Sequence, residues 1–388
     1  MSSQPQPSIA QLFSSFFRLG LTAFGGPSMV VYIRRMAVEK KHWLDPETFN
    51  HGLALCQMIP GATAMQTAAY VGLKTRGVVG AIASFIGFGL PAFLIMMVFA
   101  ALYTTSHNIP AVVSAFNGLQ AIIVAIIANA TISFGKNFLK SWRALVIAGI
   151  AAVLFGLNVN PILVILLAAG LGWFLIKPKQ PDPHDPASSG KTITYLKPLV
   201  LILSISVIGF LLLFIFNRTL FDLAILMFRI DLFAFGGGFA SVPLMYHEIV
   251  EVRHWMDSQT LMNGIALGQV TPGPIVITAT FIGYLLGGWF GGVVATIGIF
   301  LASFTLVVAI SPYFDRLRAS PAFNKVIGGV LCSFVGLLLT VTIRFALNVH
   351  WDLSHILLAN GALIALLLKA DILWVVVIGT IISVIIFI

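Results

Sequence analysis

The chain has 388 residues, with 22 Lys plus Arg against 13 Asp plus Glu, a formal net charge of +9. Only 9% of its residues are charged, where a soluble domain carries about 25%, while 59% are apolar and the mean hydropathy is +1.01. These figures exclude a soluble enzyme or a nucleic-acid binder, which would lack the charges to coat its surface, and specify an integral membrane protein whose basic balance suits lipid headgroups or anions.

In chain order, the first eight residues are polar and lack a basic stretch, so the first apolar run is expected to stay in the mature protein. Runs suited to spanning helices fall at 9–33, 48–75, 78–104 and 109–134, followed by shorter ones at 142–157 and 159–176. These form a first half, 1–176. Residues 177–191, KPKQPDPHDPASSGK, read as an aqueous linker that extends to 195. The second half, 196–388, opens with a linking helix at about 196–216 and continues with runs at 219–246, 257–286, 289–312, 321–346, 354–369 and 372–388. The fold class is therefore an all-α polytopic membrane protein with about thirteen transmembrane segments. Cys56 and Cys332 stand far apart without CxxC or His-rich neighbours, so neither a disulfide framework nor a metal site is expected, and no cofactor.

The halves repeat each other. Phe17-Arg18-Leu19 and Ala23-Phe24-Gly25-Gly26 match Phe228-Arg229-Ile230 and Ala234-Phe235-Gly236-Gly237 at an offset of 211. After a one-residue slip, Glu39, Lys41, His42, Trp43, Asp45 and Thr48 match Glu251, Arg253, His254, Trp255, Asp257 and Thr260 at 212. Gly52, Ala54, Leu55, Gln57, Pro60 and Gly61 continue onto Gly264, Ala266, Leu267, Gln269, Pro272 and Gly273. If every run through 216 crosses once, the count before the second half is odd and the repeats have inverted topology. An N-terminus inside then puts most Lys and Arg inside, leaving Arg34, Arg35, Lys40 and Lys41 outside against the positive-inside rule. The alternative is that 48–75 is a re-entrant hairpin, which makes the halves parallel.

Four breaks carry the candidate chemistry. Phe24-Gly25-Gly26-Pro27 and Phe235-Gly236-Gly237-Gly238 interrupt long apolar segments, and unwound backbone in hydrocarbon survives where it is buried in protein or lines a polar cavity. Close packing through small residues is the alternative use of such glycines. Gln57-Met58-Ile59-Pro60-Gly61 and Gln269-Val270-Thr271-Pro272-Gly273 break their segments near the middle. The helix N-terminus that resumes after each carries about half a positive charge and free amides for an anion, unless the break is only a proline kink.

Arg18 and Arg229, seven residues before the glycine breaks, share their helix face and offer matched guanidinium forks to a tetrahedral oxyanion, or each pairs with a carboxylate. Asp231 stands where the first half has Gly20, as a buried acid able to take up a proton for coupling or to bridge to another helix. In the connecting strings, Asp45 and Asp257 suit N-caps, and Trp43 and Trp255 interfacial anchors. GxSxG, HExxH and Walker signatures are absent, so no enzymatic activity is expected.

The strings FRLGLTAFGGP at 17–27, CQMIPGATAMQTAAYVG at 56–72, FRIDLFAFGGGFASVPLM at 228–245 and GQVTPGPIVITATFIGY at 268–284 resemble the chromate ion transporter family in its long, two-domain form. The resemblance implies chromate efflux across the bacterial inner (plasma) membrane, driven by the proton gradient, through two related halves of opposite orientation. It leaves open sulfate as a tetrahedral alternative, a passive channel in place of a transporter, and whether the protein forms a homodimer. Pro27 against Gly238, and Ala62 against Pro274, put in question whether both half-sites contact the ion equally. The expected mechanism is alternating access around one anion site. Arg18, Arg229, Gln57, Gln269, Thr271 and the glycine and Pro-Gly breaks (Phe24, Gly25, Gly26, Pro60, Gly61, Phe235, Gly236, Gly237, Pro272, Gly273) contribute to that site.

Overall fold

The computed structural model describes residues 6–24, 28–106, 109–176 and 196–387, so Gly25, Gly26, Pro27 and the linker 177–195 lie outside the described residues. Everything with regular structure among them is helical. The first half contributes α1 (Ile9–Thr22), α2 (Ser28–Arg34), α3 (Pro46–Met58), α4 (Thr63–Ser106), α5 (Pro110–Phe138), α6 (Trp142–Gly156) and α7 (Pro161–Leu175). After α8 (Leu196–Phe216) come α9 (Arg218–Phe233), α10 (Ser241–Met245), α11 (Ser258–Val270), α12 (Thr278–Ile310), the short α13 (Phe314–Ala319), α14 (Pro321–Asn348), α15 (Leu353–Leu367) and α16 (Ile372–Phe387).

The repeat seen in the sequence recurs in the backbone. α2 and α10 both continue into a π-helical turn, Arg35–Lys40 and Tyr246–Val252. The left-handed residues come in pairs at the repeat offset: His42 and His254 (φ 52° and 51°), Asn158 and Lys369 (63° and 68°), Gly61 and Gly273 (116° and 132°). Among the described residues α8 has no counterpart. The local signals that start the helices are explicit. Thr48 N–H donates to Asp45 Oδ1 at 2.8 Å and Thr260 N–H to Asp257 Oδ1 at 2.7 Å, the expected N-caps. Pro46, Pro110, Pro161 and Pro321 occupy first turns, where a missing N–H costs nothing. Trp43 departs from its expected interfacial role: it is only 7% exposed and is part of the core.

Among the described residues, five helices are long and apolar enough to cross a membrane: 63–106, 110–138, 197–216, 275–319 and 321–348. The first and fourth are bent double. α4 reverses at Arg76-Gly77 (Gly77 φ 62°, ψ −155°) and α12 at Gly287-Gly288 (Gly288 φ 59°, ψ −147°). The two arms of α4 then pack so closely that a Cβ on Gly72 would strike the Gly80 carbonyl, and Ser84 Oγ donates across to Ala68 O at 2.7 Å. In α12 the counterpart glycines 283 and 291 meet in the same way.

The runs at 48–75 and 257–286 do not extend straight. Gly52 lies under the ring of Tyr70, and Gly264 under Phe281, so α3 and the first arm of α4, and likewise α11 and the first arm of α12, are side-by-side hairpins that turn at Pro60-Gly61 and Pro272-Gly273. Thirteen-residue arms such as α3 and α11 reach about 20 Å, short of a hydrocarbon core about 30 Å thick. The runs at 9–33 and 219–246 fold back too. Arg229 on α9 pairs with Glu248 beyond the glycine break. In the first half, α1 starts beside the α4 hinge, where Arg76 Nε donates to Pro7 O at 2.6 Å, and α3 starts at the same end, so the chain through α2 must return there.

The halves interlock. α5 packs on α15 and α16, and α14 on α6 and α7. The second arms of α4 and α12 run antiparallel, Phe85 meeting Phe300 and Phe304 (ring centroids 6.0 and 5.1 Å) while Met97 lies at Gly292. α5 and α14 are also antiparallel. Thr131 and Thr342, counterparts at the 211 offset, place their hydroxyls 3.3 Å apart, so equivalent positions of the two halves meet.

Candidate functional site

Each hairpin tip is built from a helix end, a Pro-Gly turn and a new helix start. α3 ends at Ile59 and α11 at Thr271, both in extended backbone, because the following proline disfavours helix in the residue before it. Gly61 and Gly273 then take positive φ, which only glycine adopts at low cost. The amides of the first turn of α4 have no intrahelical acceptor, the general feature by which helix N-termini can hold anions.

The tips converge on the second glycine break. Gly61 N–H donates to Ala234 O, the cap of α9, at 2.9 Å. Gly237, at φ 100°, faces Thr63 Oγ1, and Gly238 faces the Ile275 side chain at the other Pro-Gly tip. Three of the four sequence-defined breaks therefore meet. Of the fourth, only Phe24 is described, and it is partly buried. Around the junction Pro60, Thr271, Pro272 and Gly273 are buried, whereas Phe235 and Gly236 are partly open. Gln269 is 8% exposed with an unpartnered Nε2, while its counterpart Gln57 is exposed, so the two half-sites differ.

The arginines also differ. Arg229 is held by Glu248, which Arg253 Nε approaches at 3.7 Å. Glu251 next to them is paired with Arg344 and lies 3.0 Å from His247 Nδ1. Arg18 lies on an exposed face of α1, with no ion pair among the described residues. The structure does not bring Arg18 and Arg229 into contact.

Asp231 is fully buried one turn before the break. Its Oδ2 accepts from Ser303 N–H at 2.8 Å and Ser303 Oγ–H at 2.5 Å, and Ser303 Oγ in turn accepts from Ala62 N–H at 2.9 Å, linking the acid to the first Pro-Gly tip. Gln66, also fully buried, donates from Nε2 to Pro60 O at 2.6 Å. Ser303 and Glu248 belong to none of the sequence motifs, and Gln66 lies within the 56–72 string without being singled out there. Each stands where its repeat counterpart is unlike it (Ala92, Thr278 and Met36), and that loss of pseudo-symmetry is the signal that could have found them. A cavity of about 410 Å³ between α4 and α12, lined by Phe85, Phe93, Phe300 and Phe304, is apolar and unsuited to a dianion.

Comparison with known proteins adds an independent line. A family model described as "Chromate transporter" matches residues 10–173 and again 221–384, two copies separated by the same 211 residues. An uncharacterized transporter of Methanocaldococcus jannaschii is 40% identical over 390 residues, covering 99% of this chain and 96% of its own. A chromate transport protein of Cupriavidus metallidurans is 31% identical over 382 residues (94% and 89% covered), and one of Pseudomonas aeruginosa 30% over 354 residues (88% and 82%). No solved structure matches the chain.

Proposed function

Because this chain belongs to the chromate transporter family, a family of multi-pass membrane transporters and not enzymes, we propose that it exports chromate across the plasma membrane, the inner membrane of a bacterium, by alternating access coupled to protons. The observation that carries the reading is the meeting of both Pro-Gly tips with the second glycine break. Short helices that start inside the bilayer with free first-turn amides are a geometry by which a neutral backbone holds a dianion away from water. Beyond Gly61 and Gly273, whose turns set their direction, the first-turn amides left free by the internal hydrogen bonds orient the oxyanion, together with Gln57, Gln269 and Thr271. Phe24, Gly25, Gly26, Phe235, Gly236 and Gly237 form the opposing wall, Arg18 and Arg229 supply the positive field, and Asp231 carries the coupling proton.

The halves sit in the membrane as inverted repeats. The antiparallel course of counterpart helices supports this, and so does the charge distribution. With both early runs of each half folded as re-entrant hairpins, the crossings before α9 are the second arm of α4, α5, an even contribution from α6 and α7, and α8, an odd total. The loop at 34–41 then lies on the same side as the hinge at 74–76, the turn at 136–143, Lys197, Arg316, Arg318, Lys325 and Lys369. Only Arg218, Arg253 and Arg344 fall opposite, so the basic side is cytoplasmic and the exception left by single crossings disappears.

The deciding experiment is uptake of radiolabelled chromate into inverted membrane vesicles, with and without an imposed proton gradient and with excess sulfate. Gradient-driven accumulation that sulfate does not suppress is expected. Flux that only equilibrates would replace the transporter with a channel, and strong sulfate competition would broaden the substrate to tetrahedral dianions.

A further inference from the structure

Two buried oxygens beside the first Pro-Gly tip have no hydrogen-bond partner: Asp231 Oδ1 and Gln66 Oε1. Both residues are fully buried, and both border Gly61, whose Cβ position lies 2.8 Å from Gln66 Nε2 and 3.2 Å from Asp231 Oδ2. Two unpartnered acceptors on side chains that both border Gly61, one of them on a carboxylate, leave a donor missing that a single proton on the carboxylate supplies.

Among the described residues, no charged side chain other than those named here is brought to this site by the helices packed on α9. α12 and α10, which pack on α9, contain no charged side chain, Tyr284 being the one titratable group on α12. α4 carries its cations, Lys74 and Arg76, at its hinge, and α8 carries Lys197 at its first turn. Cys56 is the titratable group near the end of α3, and Arg229 on α9 itself is engaged by Glu248.

The repeat provides an internal control. At the symmetry-related position Asp231 becomes Gly20, Ser303 becomes Ala92, Ala62 with its donating N–H becomes Pro274 with none, and Gln66 becomes Thr278, whose hydroxyl is satisfied by Ile275 O at 2.8 Å. Every member of the network is changed together, as expected if the four residues act as one unit.

We infer that Asp231, Ser303 and Gln66 form one proton site, present in only one half, in which Asp231 Oδ1 takes the proton and its O–H is received by Gln66 Oε1. The inference rests on the proton-coupled transport reading above and adds the residues that position the proton and its number. Binding converts a carboxylate to a neutral acid with a proton drawn from the aqueous phase. Because Ser303 Oγ also holds Ala62 N–H and Gly61 N–H holds Ala234 O, protonation is felt at the tip and at the glycine break simultaneously. Ser303 donates to the ionised form and Gln66 accepts from the protonated one, so the two positioning residues must act in opposite directions.

The test uses the full chain in proteoliposomes with the membrane potential clamped at zero. The wild type is expected to accumulate chromate about tenfold per unit of imposed pH gradient, the value for one proton per dianion, where two protons would give about a hundredfold. Asp231→Asn is expected to keep chromate–chromate exchange and lose gradient-driven accumulation. Ser303→Ala should move the pH midpoint of transport up by about one unit and Gln66→Leu move it down by about one unit. Retained gradient-driven accumulation in Asp231→Asn overturns the site. Should Asp231→Asn lose exchange as well, the other two variants decide, and shifts that are absent or of the same sign overturn it. A wild type that never accumulates chromate overturns the transport reading itself, an outcome distinct from failure of the site.

Discussion

Substitution at the first Pro-Gly tip separates backbone strain from packing. Gly77, at the α4 hinge, has φ 62° and ψ −155° with nothing within 4 Å of an added methyl group, so Gly77→Ala carries only the backbone cost, about 1–3 kcal/mol. Gly273, at φ 132°, adds one contact, 2.7 Å to the Ala92 Cβ. Gly61, at φ 116°, meets Ser303 Oγ closer than any real Cβ contact and Gln66 Nε2 at 2.8 Å, and both are already committed to hydrogen bonds. Overpacking of that kind costs about 1–3 kcal/mol in addition, which brings Gly61→Ala to about 4 kcal/mol. Measured as loss of thermal stability in detergent, the expected order is Gly77→Ala least, Gly273→Ala next and Gly61→Ala greatest.

The clash with Ser303 is removable. In a Ser303→Ala background Gly61→Ala should recover about 1–2 kcal/mol, because the coupling between neighbouring substitutions appears as non-additivity. A Gly61→Ala variant as stable as Gly77→Ala, or strict additivity with Ser303→Ala, would refute the packing of this tip against α12.

Three further outcomes are expected. Arg18→Gln and Arg229→Gln should each reduce vesicle chromate uptake at equal expression, and full activity in both would remove the arginines from the anion field. Glu248→Gln leaves Arg229 without its partner. With Arg229 41% exposed, the loss should be about 1–2 kcal/mol by thermal unfolding, well under that of a fully buried pair. Lys140→Cys and Trp351→Cys, symmetry-related and exposed, should react with a membrane-impermeant maleimide from opposite sides, against a low background because Cys56 and Cys332 are buried; labelling from one side would show parallel halves.

Much of the architecture was legible in the sequence because duplication makes its own evidence. The 211 and 212 offsets located the second glycine break, both Pro-Gly turns and the caps at Asp45 and Asp257, all set by local chemistry. Direction was not legible. An apolar run such as 48–75 has the same composition whether it crosses once or turns at Pro60-Gly61, and only the approach of Gly52 to Tyr70 distinguishes the two. Trp43 illustrates the same limit, since the residue type suits an interface while its burial depends on what packs over it. Ser303 and Gln66 were illegible for a further reason: a lone Ser or Gln in a membrane helix commonly bonds a neighbouring helix, and their significance arises from residues 72 and 165 positions away from them, both at Asp231.

The broken symmetry also bears on direction of transport. In two interlocked halves related by a two-fold axis, exchanging the conformations of the halves converts an inward-open state into its outward-open image, so a perfectly symmetric protein would populate the two equally. An anion held alike by both tips binds both states alike, and a ligand with equal affinity for two states shifts neither. Bias has to come from a term that differs between the halves. The hydrogen-bonded chain from Ala62 N–H through Ser303 to Asp231 is such a term, because Pro274, Ala92 and Gly20 offer nothing in its place. On the proposed alternating-access mechanism, replacing it should therefore leave exchange intact and abolish only gradient-driven net movement, since the symmetric part of that mechanism catalyses movement and the asymmetric part connects it to a gradient.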